Sequence, residues 1–274
     1  MFGRILNKGT GAPIVFVHGF LGSGEDWAPI ASLLKERTCF AFDLPGHGKT
    51  PWAEMEIEDL MQSAFPPEPL DLVGYSLGGR LSLRFAMRYP GRIRTLTLLS
   101  THYGLQTEED KQERLQADRK WAQKLLTFPF NEFLSDWYSQ RAFASLQQNP
   151  EAKAKVVPLR KADRPKELAR GLMEWSLGRQ PFFLKRMLEF PKPLQIVYGE
   201  LDPIASALYN SWPKMAVKIK GAGHCLHLEN PQKIAEILCL GNNVETIQTS
   251  DMKSGMESPK SASTARKSAM RSAL

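Results

Sequence analysis

Residues 72–80 read Leu72-Val73-Gly74-Tyr75-Ser76-Leu77-Gly78-Gly79-Arg80. An apolar run ends at Gly74, and a run with helical periodicity begins after Ser76. Between them lies G-x-S-x-G, the strand–turn–helix pattern that holds one serine up at the end of a strand. Gly74 and Gly78 fit because side chains at those positions would clash in so tight a turn. The pattern is short, and its context gives it weight: Pro69 to Val73 reads as a strand and Leu77 to Tyr89 as an amphipathic helix.

Outward from this point, strands and helices alternate. Pro13 to Val17 is wholly apolar, as expected of a strand buried on both faces. Thr38 to Phe42, Thr95 to Leu99, Leu194 to Tyr198 and Val217 to Ile219 are further strand candidates. Trp27 to Glu36 and Pro231 to Leu238 read as helices. Such alternation gives an α/β fold with a mostly parallel sheet flanked by helices. One region breaks it: from Thr107 to about Glu189 no convincing strand appears, and charges and aromatics dominate. A helical cap inserted there would roof the serine, since connections leaving the C-terminal ends of parallel strands lie over the ligand crevice. The expected organisation is a core of 1–106 and 190–240, a helical cap of 107–189 and a tail of 241–274. The tail, rich in Ser, Lys, Ala and Met with five basic and three acidic residues, reads as disordered.

Composition narrows the class. The chain has 274 residues and a net charge of +7. A basic surface attracts anions, whether a small acid or a nucleic acid, and no nucleic-acid-binding motif is present. No stretch of eighteen apolar residues suggests a membrane span, and the N-terminus lacks the layout of a signal peptide. Cys39, Cys225 and Cys239 are few, odd in number and widely spaced. They are expected to be reduced thiols of a cytoplasmic protein rather than a disulfide scaffold or zinc site.

A serine hydroxyl needs a histidine to take its proton and an acid to orient that histidine. In this architecture the partners follow the serine in the order acid, then histidine. Asp202, in Gly199-Glu200-Leu201-Asp202-Pro203, and His224, in Gly221-Ala222-Gly223-His224, lie on loops after two late strands. Glu200 is a fallback acid. His227 is expected to pack or hydrogen-bond near the loop, and His47 to be a structural or rim residue. His102, near a strand end, has no obvious catalytic partner. For a developing oxyanion, the backbone N–H groups of Phe20, in Val17-His18-Gly19-Phe20-Leu21-Gly22, and of Leu77 are the candidate donors.

Together, His18-Gly19-Phe20, Asp43-Leu44-Pro45-Gly46-His47-Gly48, the serine turn, Asp202 and His224 resemble the α/β-hydrolase superfamily over about Ile14 to Leu238. Further stretches resemble one family within it, the menaquinone-pathway lyases called 2-succinyl-6-hydroxy-2,4-cyclohexadiene-1-carboxylate synthases. They are Gly78-Gly79-Arg80, Gly104-Leu105-Gln106 through Glu113-Arg114 and Asp118 to Gln123, Asp136-Trp137-Tyr138 with Phe143 to Leu146, Leu159-Arg160, and Ser176 to Pro181. The resemblance implies an α/β-hydrolase fold and a cofactor-free expulsion of pyruvate from a cyclohexene polycarboxylate, with Ser76, Asp202 and His224 serving as base. It also implies that Arg80, Arg114 and Arg160 grip carboxylates while Tyr75 and Trp137 line the pocket. Arg119 and Arg179 are further candidates. A bidentate, permanently charged guanidinium suits such a ligand on physical grounds as well. The implied partner is a small polycarboxylate, not nucleic acid or membrane, and the implied state a monomer or weak homo-oligomer. Two other classes share these residues: a serine esterase, thioesterase or C–C hydrolase, and a non-catalytic binding protein. The complete Ser76, Asp202 and His224 set speaks against the last.

Overall fold

The computed structural model describes residues 2–212 and 216–240; the tail 241–274 lies outside them. Seven strands form one sheet: β1 (Gly3–Asn7), β2 (Gly11–Val17), β3 (Arg37–Phe42), β4 (Leu70–Tyr75), β5 (Ile93–Leu99), β6 (Leu194–Gly199) and β7 (Ala216–Ile219). Their spatial order is β1-β3-β2-β4-β5-β6-β7. Only β1 runs antiparallel to its neighbour, β3. The sequence reading lacked β1, because an edge strand with one buried residue in five carries no continuous apolar run.

Each central strand divides its side chains between two cores. Ile14, Phe16, Val73, Tyr75 and Val197 point into one, and Val15, Val17, Leu72, Leu98 and Ile196 into the other. This period-2 split explains why these strands read as unbroken apolar runs. Burial of each such side chain contributes roughly 1.5–3 kcal/mol. Helices α1 (Ala28–Ala31) and α12 (Pro231–Leu240) cover the first face. Helices α2 (Ile57–Ala64), α3 (Leu77–Arg88) and α10 (Pro203–Tyr209) cover the second. The Trp27 to Glu36 helix is shorter than expected. It opens as a 3-10 turn capped by Ser23, and beyond α1 the Leu33 and Leu34 amides bond three residues back.

The far end of the sheet from Ser76 is pinned by Asp71 on β4. Its carboxylate accepts from Arg94 (Nε and Nη2, 3.0 Å each), from Thr95 Oγ1 (2.8 Å) and from Arg37. Strands β3, β4 and β5 are thereby tied together, with Arg37 reaching across the intervening β2.

Between β5 and β6 run α4 (Glu108–Thr127), α5 (Phe130–Ser139), α6 (Ala144–Gln148), α7 (Pro150–Val156), α8 (Pro165–Glu174) and α9 (Leu184–Leu188), with no strand among them. Their aromatics pack mainly on each other: Trp121 lies 5.9 Å from Phe133 and 5.2 Å from Trp137, ring centre to ring centre. The remaining helix, α11 (Leu226–Glu229), follows the His224 loop.

Candidate active site

Ser76 sits between β4 and α3 with φ 51° and ψ −113°. A non-glycine residue there carries roughly 1–3 kcal/mol of strain, which the surroundings must hold in place. They do so from both sides: Ser76 N–H donates to Leu99 O at 2.9 Å, and Arg80 N–H donates to Ser76 O at 3.0 Å. The flanking glycines serve close approach. A Cβ on Gly78 would run into the carbonyls of Val17 and His18, and one on Gly79 into the Thr101 hydroxyl. The start of α3 therefore presses directly on the end of β2.

That contact puts Leu77 beside the loop after β2. Gly19 lies against the Tyr75 ring and Ser76 Cβ, so Phe20 follows next to the serine. Among the described residues, no acceptor takes the N–H of Phe20 or of Leu77. His18 fixes the loop from below: its Nδ1–H donates to Gly19 O (2.8 Å) and its Nε2 accepts from Leu44 N–H (3.0 Å). Burial lowers its pKa and keeps it neutral, as this tautomer requires.

His224 Nε2 lies 3.1 Å from Ser76 Oγ, and its Nδ1 lies 2.7 Å from Asp202 Oδ2. Asp202 also caps α10, its Oδ1 accepting the amides of Ile204 and Ala205 at 3.1 Å each. Burial pushes this carboxyl up, but the adjacent His224 and the amide donors outweigh it and hold the group below its usual range. The His224 loop is pressed onto the end of β6 at Gly199, where a Cβ would overlap the carbonyls of Ala222 and Gly223. Glu200 does not compete with Asp202; its carboxylate accepts the Gly221 amide at 3.0 Å on the outer side of the loop. Such a serine–imidazole–carboxylate chain can take a proton from a bound molecule or activate the hydroxyl for attack.

The chain opens on a cavity of about 370 Å³, a size suited to a small organic ligand. Phe143 closes one side, edge-on to His224 with ring centres 5.3 Å apart. Trp137 lines the roof and packs 4.9 Å from Phe20. Arg80, Arg114 and Asp118 all reach the wall. Arg114 Nε donates to Asp118 Oδ1 at 2.9 Å. Among the described residues, Arg80 donates only to neutral acceptors, Trp175 O (2.8 Å) and Gln180 Oε1 (3.2 Å). Burial and then the neighbouring Arg114 push its pKa down to about 9. A guanidinium so placed is short of negative charge, and an anion would supply it.

Two expectations differ. Arg160 is not on the cavity wall: it is buried, with Nη1 2.7 Å from Asp26 Oδ2 and Nε donating to Tyr138 Oη at 2.9 Å. Asp26, sealed beneath the loop after β2, needs a full counter-charge, and Arg160 is the cation that meets it. Tyr75 lies beneath the site rather than on its wall. Its ring packs 4.1 Å from His227, and its hydroxyl lies 3.3 Å from Cys225 Sγ. His227 packs as expected, and His47 is a buried structural residue bonded to Pro45 O at 3.1 Å. Arg119 and Arg179 are exposed and away from the cavity. The sequence reading gave no role to Asp118, Gln180 or His102, all close to Arg80, although Asp118 and Gln180 lie in stretches that carry the family resemblance.

A family model described as the alpha/beta hydrolase fold matches residues 12–231. A 2-succinyl-6-hydroxy-2,4-cyclohexadiene-1-carboxylate synthase of Yersinia pestis (strain Pestoides F) is 33% identical over 236 residues, 82% of this chain and 85% of the relative. Among solved structures, MenH from S. aureus matches with a TM-score of 0.77 at 24% identity, covering 88% of this chain and 97% of its own. A thermophilic esterase from Thermogutta terrifontis matches at 0.72 and 21% identity, covering 86% and 91%. These two structures share the fold with this chain.

Proposed function

The chain belongs to the α/β-hydrolase family and, within it, to the 2-succinyl-6-hydroxy-2,4-cyclohexadiene-1-carboxylate synthases, and from that premise we propose how this lyase works. Its reaction is the elimination of pyruvate from 2-succinyl-5-enolpyruvyl-6-hydroxy-3-cyclohexene-1-carboxylate. The observation that carries the reading is the Ser76–His224–Asp202 chain opening on a cavity that also holds Arg80 and Arg114.

The substrate's own bonding sets the task. Ring carbon 2 bears the succinyl ketone, so its C–H is acidified by the carbonyl. Ser76 Oγ takes that proton and passes its own to His224 Nε2, and Asp202 steadies the imidazolium. Negative charge moves onto the ketone oxygen, where the Phe20 and Leu77 amides receive it. The electrons return through the ring alkene, a new double bond forms to carbon 5, and the C–O bond there breaks. Enolpyruvate leaves and regains a proton to become pyruvate. No water is consumed and no acyl-enzyme forms.

Arg80 and Arg114 bind carboxylates in this scheme, and Trp137 shapes the roof. Arg160 and Tyr75 support the site from beneath. Residues 107–189 form the cap, and 1–106 with 190–240 the core. The enzyme acts in the cytoplasm on a small polycarboxylate, as a monomer or weak homo-oligomer. Among the described residues, no helix is long and apolar enough to cross a membrane.

The test is pyruvate release from that substrate by purified protein, with Ser76→Ala and Arg114→Ala alongside. Fast release by wild type and collapse in both variants is the expected result. Silence from wild type together with good turnover of short esters or thioesters would place the protein among the serine hydrolases instead.

A further inference from the structure

His102 stands just past the end of β5, on the cavity wall shared with Arg80 and Arg114. The chain around it is held in one shape. Ser100 has φ 43° and Gly104 φ 115°, and Gly104 packs so tightly on Pro181 that a Cβ would lie 2.5 Å from its carbonyl oxygen. Gln180 bridges the group: its Nε2 donates to His102 O (3.2 Å), and its Oε1 accepts from Arg80 Nη1 (3.2 Å).

The ring's tautomer follows from its contacts. Gly104 N–H donates to His102 Nδ1 at 3.0 Å, so that nitrogen carries a lone pair and the proton of the neutral ring is on Nε2. Among the described residues, no acceptor takes the Nε2–H, and this nitrogen is not one of the sealed, partnerless polar atoms. The donor therefore has the cavity as its outlet. Burial lowers the His102 pKa to about 3, and the guanidiniums of Arg114 and Arg80 add to the effect by making a third positive charge costly.

We propose that His102 is a substrate-binding residue, an uncharged Nε2–H donor between Arg80 and Arg114 that bonds a carboxylate oxygen of the ligand. A neutral donor adds direction without deepening the charge well: guanidiniums hold a carboxylate in their plane, and the imidazole selects its rotation. This rests on the polycarboxylate reading of the cavity, and the test separates the two.

Glutamine places an N–H near where histidine Nε2 lies, whereas asparagine reaches only as far as Nδ1. The full chain, His102→Gln and His102→Asn are compared by pyruvate release and by calorimetric binding of tricarballylate, a plain tricarboxylate. Unfolding midpoints are recorded for each. His102→Asn should raise KM and weaken tricarballylate by about tenfold or more, the order of one hydrogen bond to a charged group, with kcat within a few-fold of wild type. His102→Gln should recover most of both losses at a similar midpoint. Equal behaviour of His102→Asn and wild type in both assays would overturn the proposal. So would equal damage in the two variants, since that marks a structural role. Weakened tricarballylate binding in His102→Asn, with no pyruvate from any form, would sustain the His102 assignment while ending the lyase reading.

Discussion

Arg160 Nη1 lies 2.7 Å from Asp26 Oδ2, and both side chains are sealed from solvent. The pair joins the loop after β2 to the helical segment above it, since Arg160 follows α7 and Asp26 sits in the turn before α1. Its burial makes the two charges dependent on each other. A lone buried charge is far costlier than the pair.

Asp26→Leu or Arg160→Met alone should therefore destabilise the fold by about 3–5 kcal/mol. The double variant Asp26→Leu/Arg160→Met should recover most of that loss. Urea unfolding of the four proteins checks the cycle. The double variant should also keep a KM within a few-fold of wild type, because Arg160 does not line the cavity. A large rise in KM there would return Arg160 to the ligand.

Acid should destabilise the protein in two stages. His47 is pushed down from 6.5 to about 3 by burial and then by His18. A folded-state pKa below the unfolded one means stability that is full above pH 6.5 and is lost as pH falls toward 3. For Asp26, burial raises the pKa but Arg160 and His227 outweigh it, leaving about 2 against an ordinary 3.8. Its contribution is full above that ordinary value and fades as pH approaches 2. Melting temperature against pH should thus begin to fall near pH 6, and His47→Gln should make that first limb shallower without removing it, since His18 and His102 are also held below their ordinary pKa.

Ser76→Gly should separate stability from activity. Relief of roughly 1–3 kcal/mol of backbone strain exceeds the roughly 0.5–1 kcal/mol entropic cost of glycine. The unfolding midpoint should rise while pyruvate release falls by about a thousandfold or more. A lower midpoint would show that the elbow carries no net strain.

Gly78→Ala should be a highly damaging single methyl near the site. Its Cβ meets backbone carbonyls of Val17 and His18, which cannot rotate away as a side chain can. It would push α3 from β2 and spread the Phe20 and Leu77 amides. The expected result is a loss of kcat of about a hundredfold, the order of one oxyanion donor, or failure to fold. Kinetics and circular dichroism distinguish the two.

Removal of Arg80 should act on affinity. Arg80→Ala is expected to raise KM by about ten- to a hundredfold, and Arg80→Lys to recover only part, because a point charge cannot reproduce a bidentate fork. Steady-state kinetics on the three proteins decides this.

Local sequence determined much of this protein. Continuous apolar runs marked the buried parallel strands, since both of their faces meet a core. Gly74-x-Ser76-x-Gly78 marked the elbow, and chain order singled out Asp202 and His224. What only the tertiary structure decided was pairing across long separations. Nothing near Asp26 announces that a residue 134 positions away will neutralise it. Arg160 and Arg114 look alike as letters and each pairs with a buried aspartate, yet of the two it is Arg114 that also reaches the cavity. Tyr75 adjoins the serine in sequence but points beneath it, because successive strand side chains face opposite sides. His102, on the loop after β5, gained its tautomer from the Gly104 amide and its setting from Arg80 on α3 and Arg114 on α4. For the charged and titratable residues the physical reason is common: burial and charge balance are sums over neighbours in space, which the order of residues alone does not specify.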